Sequence, residues 1–145
     1  MAEATVSEAL EFLRRHPHVF LLARRPDGFP TGYAMMARVH DGAVDFSTYR
    51  ASAKVQNLLR DGVAGIVAAA EEPGDDRVLV AEGPVTLLDG SHWDTGSGPD
   101  DGREVARALV PAEIAHKVQD RHDSGKRIVL RVTLESARFS TAPAP

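Results

Sequence analysis

The chain has 145 residues, 43% hydrophobic and 26% charged, a composition that suits one globular domain and differs from that of disordered chains. Its formal net charge of -4 argues against sequence-independent nucleic-acid binding, which needs a basic surface. There is no cysteine, which excludes disulfides, thiolate metal sites and cysteine nucleophiles.

The longest apolar run, residues 63–70, is too short to span a bilayer. The acidic start at Glu3 and Glu8 lacks the apolar region of a secretory signal. The expectation is a cytoplasmic protein with no membrane and no nucleic-acid partner, folded as one domain over residues 1–140 with a disordered tail at 141–145.

Thr5-Val6-Ser7-Glu8 has the S/T-x-x-E form of a capping box. Val6, Leu10 and Leu13, widened by Ala9 and Phe12, give a short first helix that Pro17 stops. The apolar run Val19-Phe20-Leu21-Leu22-Ala23 predicts a strand over 18–25, closed by the turn Pro26-Asp27-Gly28. Residues 31–40 read as one strand with Tyr33, Met35, Ala37 and Val39 on one face. Asp41-Gly42 is a type I′ hairpin signal, and beyond it Val44, Phe46 and Thr48 alternate with Asp45, Ser47 and Tyr49. These three strands are expected to form an antiparallel meander.

Ser52 is placed to cap a second helix carrying Val55, Leu58 and Leu59 and ending at Gly62. Strands follow over 63–70 and 77–88 around a turn at 72–76, and Gly83-Pro84 within the second marks a bulge or an edge. Residues 89–102 read as a loop, 103–122 as a helix broken or restarted at Pro111, and 126–140 as one long final strand with Ile128, Leu130, Val132 and Leu134 alternating. About six strands, most joined by tight turns, with helices inserted, predict a mainly β chain with helices (α+β): an antiparallel β-barrel, with an open sheet carrying helices on one face as the competitor.

The stretch Phe46-Ser47-Thr48-Tyr49-Arg50-Ala51-Ser52-Ala53-Lys54 runs from a strand end into a helix N-terminus and offers four hydroxyls and two cations. Unpaired N–H groups at such a terminus attract an anion, and a cation there is unfavourable by roughly 0.3–1 kcal/mol. Arg50 and Lys54 make sense at this place if a phosphate sits among them; the alternative is that both are solvated and Ser52 is only a cap.

The order of helix, meander with a DG turn, T-x-x-x-S-x-K, helix, and strand ending in E-G resembles the pyridoxamine 5′-phosphate oxidase-like family of FMN-binding split barrels, which includes deazaflavin-dependent relatives. Thr48, Ser52 and Lys54 match the family's phosphate-holding T-x-x-x-S-x-K. Residues Asn57-Leu58-Leu59-Arg60-Asp61 resemble its helix end, and Val80-Ala81-Glu82-Gly83 its V-x-E-G strand. The resemblance implies an antiparallel split β-barrel and a homodimer with FMN or coenzyme F420 (a deazaflavin) at the interface. It implies a phosphate held by Thr48, Arg50, Ser52 and Lys54, and a ring system along Tyr33, Met35 and Met36, with Tyr49 contacting the cofactor. Departures are Ala53, where the oxidases commonly carry arginine, Val78, where they place glutamine, and the absence of their C-terminal W-x-x-x-R-x-P-type segment. These argue against the true oxidase reaction.

The six histidines fit no metal-ligand spacing: His16 and His18 belong to a turn and strand start, His40 to a hairpin, His92 to a loop, and His116 and His122 are six apart. Gly96-Ser97-Gly98 lacks the strand-to-helix context of a nucleophile elbow, and the acidic runs at 71–76 and 94–101 read as solvated loops. Trp93 reads as a core or dimer contact. Either Tyr33 or Tyr49 is a conceivable proton donor, Tyr49 being nearer the phosphate segment. The implied function is a flavin- or deazaflavin-dependent oxidoreductase moving a hydride between cofactor and a small molecule. The alternative is a non-catalytic dimer carrying FMN, deazaflavin or a tetrapyrrole.

Overall fold

Helix α1 (Val6–Arg15) begins as its sequence requires, with Thr5 Oγ1 accepting from the Glu8 N–H at 3.0 Å and the Glu8 carboxylate accepting from the Thr5 N–H. It buries Ala9, Leu10, Phe12 and Leu13. The computed structural model describes residues 2–93 and 126–141. The expected helix over 103–122 with Pro111, the loop beyond Trp93 with its acidic run and Gly96-Ser97-Gly98, His116 and His122, and the tail beyond Thr141 lie outside the described residues.

The described residues form nine strands: β1 (Ala2–Ala4), β2 (His18–Arg24), β3 (Pro30–Met36), β4 (Arg38–His40), β5 (Ala43–Tyr49), β6 (Val63–Ala69), β7 (Arg77–Asp89), β8 (Arg127–Val132) and β9 (Ser136–Thr141). Helix α2 (Ala53–Asp61) joins β5 to β6, and a 3-10 turn, Gly90–His92, follows β7. The strands pair antiparallel in the order β3-β2-β6-β7-β8-β5-β4, with β9 also on β7 and β1 on β9. The two ends of this path, β3 and β4, are separated in the chain by Ala37 alone. The sheet thus curls until its edges come together in sequence, with no ladder between them among the described residues. This is an antiparallel split β-barrel.

The expected meander divides here: β2 pairs with β3, β4 pairs with β5, and the third strand is cut in two where the Ala37 N–H leaves the ladder to donate to Pro17 O at 2.8 Å. Asp41 and Gly42 take φ of 51° and 70°, the pair of positive values that a type I′ turn demands. The final strand is also two, β8 and β9. The reason is in β7, which does not bulge at Gly83-Pro84 but turns a corner, changing partners from β9 (Glu82 opposite Ser136) to β8 (Val85 opposite Val132). At that corner Thr133 N–H donates to Pro84 O and Glu135 N–H to Glu82 O. The chains approach so closely that a Cβ on Gly83 would lie 1.9 Å from Thr133 O, so only glycine fits.

Period-two alternation sends Leu21, Ile66, Leu79, Phe46 and Leu130 inward, where they meet Leu13 of α1 and Leu58 of α2, all at 0% exposure. The outward face of β2 and β6 keeps Phe20, Leu22 and Val63 exposed at 56%, 38% and 56%. His16 ends α1 as a buried residue whose Nδ1 accepts from the Glu71 N–H, and His18 Nδ1 lies 2.7 Å from Glu71, so both serve the fold. No helix among the described residues is long and apolar enough to cross a membrane.

Candidate functional site

The junction from β5 to α2 divides its side chains between two faces. Thr48 turns to the core face with Val44 and Phe46 and is 2% exposed. Tyr49 lies on the other face under the Arg127 guanidinium, 4.5 Å from its ring centroid, and Arg127 also donates to Ser47 Oγ at 2.9 Å and Ser47 O at 3.0 Å. Arg50 is exposed in the turn, anchored by its backbone N–H to Lys126 O at 3.0 Å.

Ser52 occupies the N-cap position of α2 with extended backbone, as its sequence position predicts, but its side chain makes no capping hydrogen bond. Its Oγ is buried and has no partner among the described residues. A buried hydroxyl without a partner costs about 1–3 kcal/mol, so the arrangement favours an acceptor or donor brought from outside the chain.

Lys54, in the first turn of α2, reaches across to β3. Its Nζ is 3.6 Å from Met35 Sδ and 5.5 Å from the Tyr33 ring centroid. No carboxylate among the described residues pairs with this half-buried ammonium. A thioether and an aromatic face leave its charge uncompensated, and α2 adds its own positive end. Tyr33 and Met35 share the inward face, opposite Leu21 and Val19 of β2. Met36 falls on the outward face, opposite His18, away from Lys54. The structure therefore brings Lys54 together with Tyr33 and Met35, and places Met36 and Tyr49 apart from that contact.

Sequence reasoning did not single out Asn57 and Arg60 as site residues. Asn57 is 7% exposed, with Nδ2 donating to Tyr33 Oη at 3.0 Å and Oδ1 accepting from Arg60 Nη1 at 3.2 Å. Arg60 also donates to Arg24 O and flanks Asp61, which accepts from Arg24 Nε at 3.2 Å. The signal in the sequence was an amide between Val55 and Leu58, on the buried side of α2 and three residues after Lys54, where an apolar residue would be the rule.

A second polar cluster is structural. Asp45, at 0% exposure, takes Arg131 bidentately at 2.8 and 2.9 Å, with His40 Nδ1 at 3.6 Å. Hydrogen bonds to Asp45 raise the Arg131 pKa further above its already high value. No group of three or more metal-ligating side chains occurs among the described residues.

Because the Ser52 hydroxyl is buried without a partner among the described residues and does not cap α2, Ser52→Ala is expected to raise the stability of the ligand-free protein by about 1 kcal/mol in urea unfolding. Loss of a working cap costs about 1 kcal/mol. The same change should weaken binding of a phosphate-bearing ligand; a stability loss typical of a broken cap would refute the assignment.

No protein-family model matches the sequence, and no curated protein matches it. Solved structures do. A conserved hypothetical protein of Mycobacterium tuberculosis superposes with a TM-score of 0.69 at 20% identity, over 99% of this chain and 92% of that one. An F420 reductase matches with a TM-score of 0.57 at 21% identity, over 89% of this chain and 93% of that one. A Clostridium acetobutylicum protein related to general stress protein 26, of the pyridoxinephosphate oxidase family, gives 0.63 at 17% identity, over 94% and 87%. At these identities the likeness establishes the fold.

Proposed function

We propose that this chain, which has the split-barrel fold of the pyridoxamine 5′-phosphate oxidase-like proteins, is a cytoplasmic oxidoreductase that uses a phosphate-bearing flavin-type cofactor, FMN or coenzyme F420, on a small-molecule substrate. The observation that carries this reading is the uncompensated Lys54 ammonium together with, two residues earlier at the start of α2, a buried Ser52 hydroxyl without a partner among the described residues. A phosphate supplies what both lack: negative charge for the ammonium and the helix end, and an acceptor for the hydroxyl. The residues present thus fit such a group. The fold-level likeness to an F420 reductase and to a pyridoxinephosphate oxidase family member supports the same class.

In this reading Thr48, Arg50, Ser52 and Lys54 hold the phosphate. Tyr33 and Met35, beside Lys54, border the ring system; Tyr49 and Met36, on faces turned away from Lys54, belong to the set through the family resemblance alone. The bound cofactor supplies the hydride chemistry. The protein's part is to fix the tail by charge and hydrogen bonds, to offer an adaptable thioether wall at Met35, and to keep water from the inward face of β3.

The exposed apolar face of Phe20, Leu22 and Val63 supports a homodimer, since such a face is covered in stable assemblies; the cofactor sites at its interface are what the family resemblance implies. Phe20→Glu is expected to convert a dimer to monomers in sedimentation equilibrium; an unchanged dimer would place the interface elsewhere, and a monomeric wild type would overturn it.

Absorbance titration with FMN and F420, followed by turnover with the reduced cofactor, tests the function. The double variant Arg50→Ala with Lys54→Ala should bind the preferred cofactor about 10–100-fold more weakly, the worth of a lost charge-assisted contact, while melting within a few degrees of wild type. Unchanged affinity would rule out the phosphate assignment. Tight binding without turnover would leave a carrier of the cofactor in place of an enzyme.

A further inference from the structure

The chain of side chains behind Lys54 has a fixed direction. Arg60 can only donate hydrogen bonds, so the Asn57 amide must present its oxygen to Arg60 Nη1. The Asn57 NH₂ group is thereby left facing Tyr33, and at 3.0 Å it donates to Tyr33 Oη. The phenol oxygen is an acceptor in this bond, so its own proton is directed elsewhere. Among the described residues no acceptor takes that proton, and the ring lies 5.5 Å from the Lys54 ammonium, on the inward face of β3 that it shares with Met35.

We infer that Tyr33 is a committed hydrogen-bond donor to a carbonyl or anionic oxygen of the ligand bound beside Lys54, and that Asn57 and Arg60 are positioning residues that set the direction of its O–H. This deepens the cofactor reading above and rests on it. Tyr33, and not Tyr49, is the tyrosine the structure couples to Lys54, because Tyr49 is held on the opposite side by Arg127. Asn57 is nearly buried at 7% exposure, and Arg60 is further tied to Arg24 O and beside Asp61, so the relay has little freedom to reverse. A ligand oxygen at this place meets a donor whose lone pair is already occupied. A ligand offering an N–H there meets only a phenol oxygen that already accepts from Asn57, so the position favours oxygen-bearing rings.

Asn57→Asp tests the direction. A carboxylate at position 57 still accepts from Arg60 but has no proton to give, so it accepts a hydrogen bond from the Tyr33 O–H and turns the phenol round. Affinities for FMN and F420 are measured by absorbance titration for wild type, Tyr33→Phe, Asn57→Asp, the double variant and Lys54→Ala, with melting curves to show that each is folded. Tyr33→Phe is expected to lose about tenfold in affinity. Asn57→Asp should lose at least as much, but in the Tyr33→Phe background it should lose clearly less than it does alone.

Additive losses would mean that the introduced carboxylate acts only through its charge, and would overturn the relay. Wild-type affinity in Tyr33→Phe, with binding weakened in Lys54→Ala, would overturn the donor while leaving the phosphate site standing. Failure of the wild type to bind either cofactor, or unchanged binding in Lys54→Ala, would overturn the cofactor reading and this inference with it.

Discussion

The ammonium of Lys54 is drawn partly out of water and given no counter-charge by the residues described around it. Its neighbours are a sulfur at 3.6 Å, a weak acceptor, and an aromatic ring at 5.5 Å, a contact worth on the order of 1 kcal/mol. The first turn of α2 opposes it by a further fraction of a kcal/mol. A surface lysine relieves such a position by extending into solvent; this one is folded back across α2 onto β3. The adjoining Ser52 hydroxyl is buried and unused. A phosphate within reach of both would resolve both defects, and the proposed function depends on that.

The barrel is what holds Lys54 there. Because β3 and β4 end the strand path yet are separated by one residue, β3 stays at an edge of the sheet with its inward face only half covered. Helix α2 lies over β2 next to this edge, with Leu58 and Val55 buried, so that Lys54 and Asn57 project toward Tyr33 and Met35. The same architecture leaves Phe20, Leu22 and Val63 on the outer face without cover.

Much of the fold was legible where local chemistry decides it. The capping box of α1, the Asp41-Gly42 turn and the N-cap position of Ser52 all follow from residues within four positions of one another. The split architecture follows from the resemblance carried by the segment from Thr48 to Lys54 and from Val80 to Gly83. What was not legible depended on contacts distant in sequence. The break at Ala37 exists because Pro17 O takes its N–H, and the corner at Gly83 exists because Thr133 lies against it. Strand periodicity continues smoothly through both places and gives no warning.

The candidate site was legible in the same uneven way. The hydroxyls and cations at the strand-to-helix junction stand out by type and spacing. That Lys54 pairs with Tyr33, while Tyr49 goes to Arg127, is a matter of which face each strand presents across the barrel. The role of Asn57 needs Tyr33 and Arg60 to be seen together, and they are 27 positions apart in the chain.

The most direct test of the central claim is the dependence of binding on the phosphate itself. Each cofactor is titrated beside its phosphate-free counterpart, riboflavin for FMN and the bare deazaflavin chromophore for F420, at low and at high salt. At least one phosphate-bearing form is expected to bind about tenfold or more tightly than its counterpart, with the gap narrowing as salt rises. Equal affinity of both forms in both pairs would contradict the phosphate site.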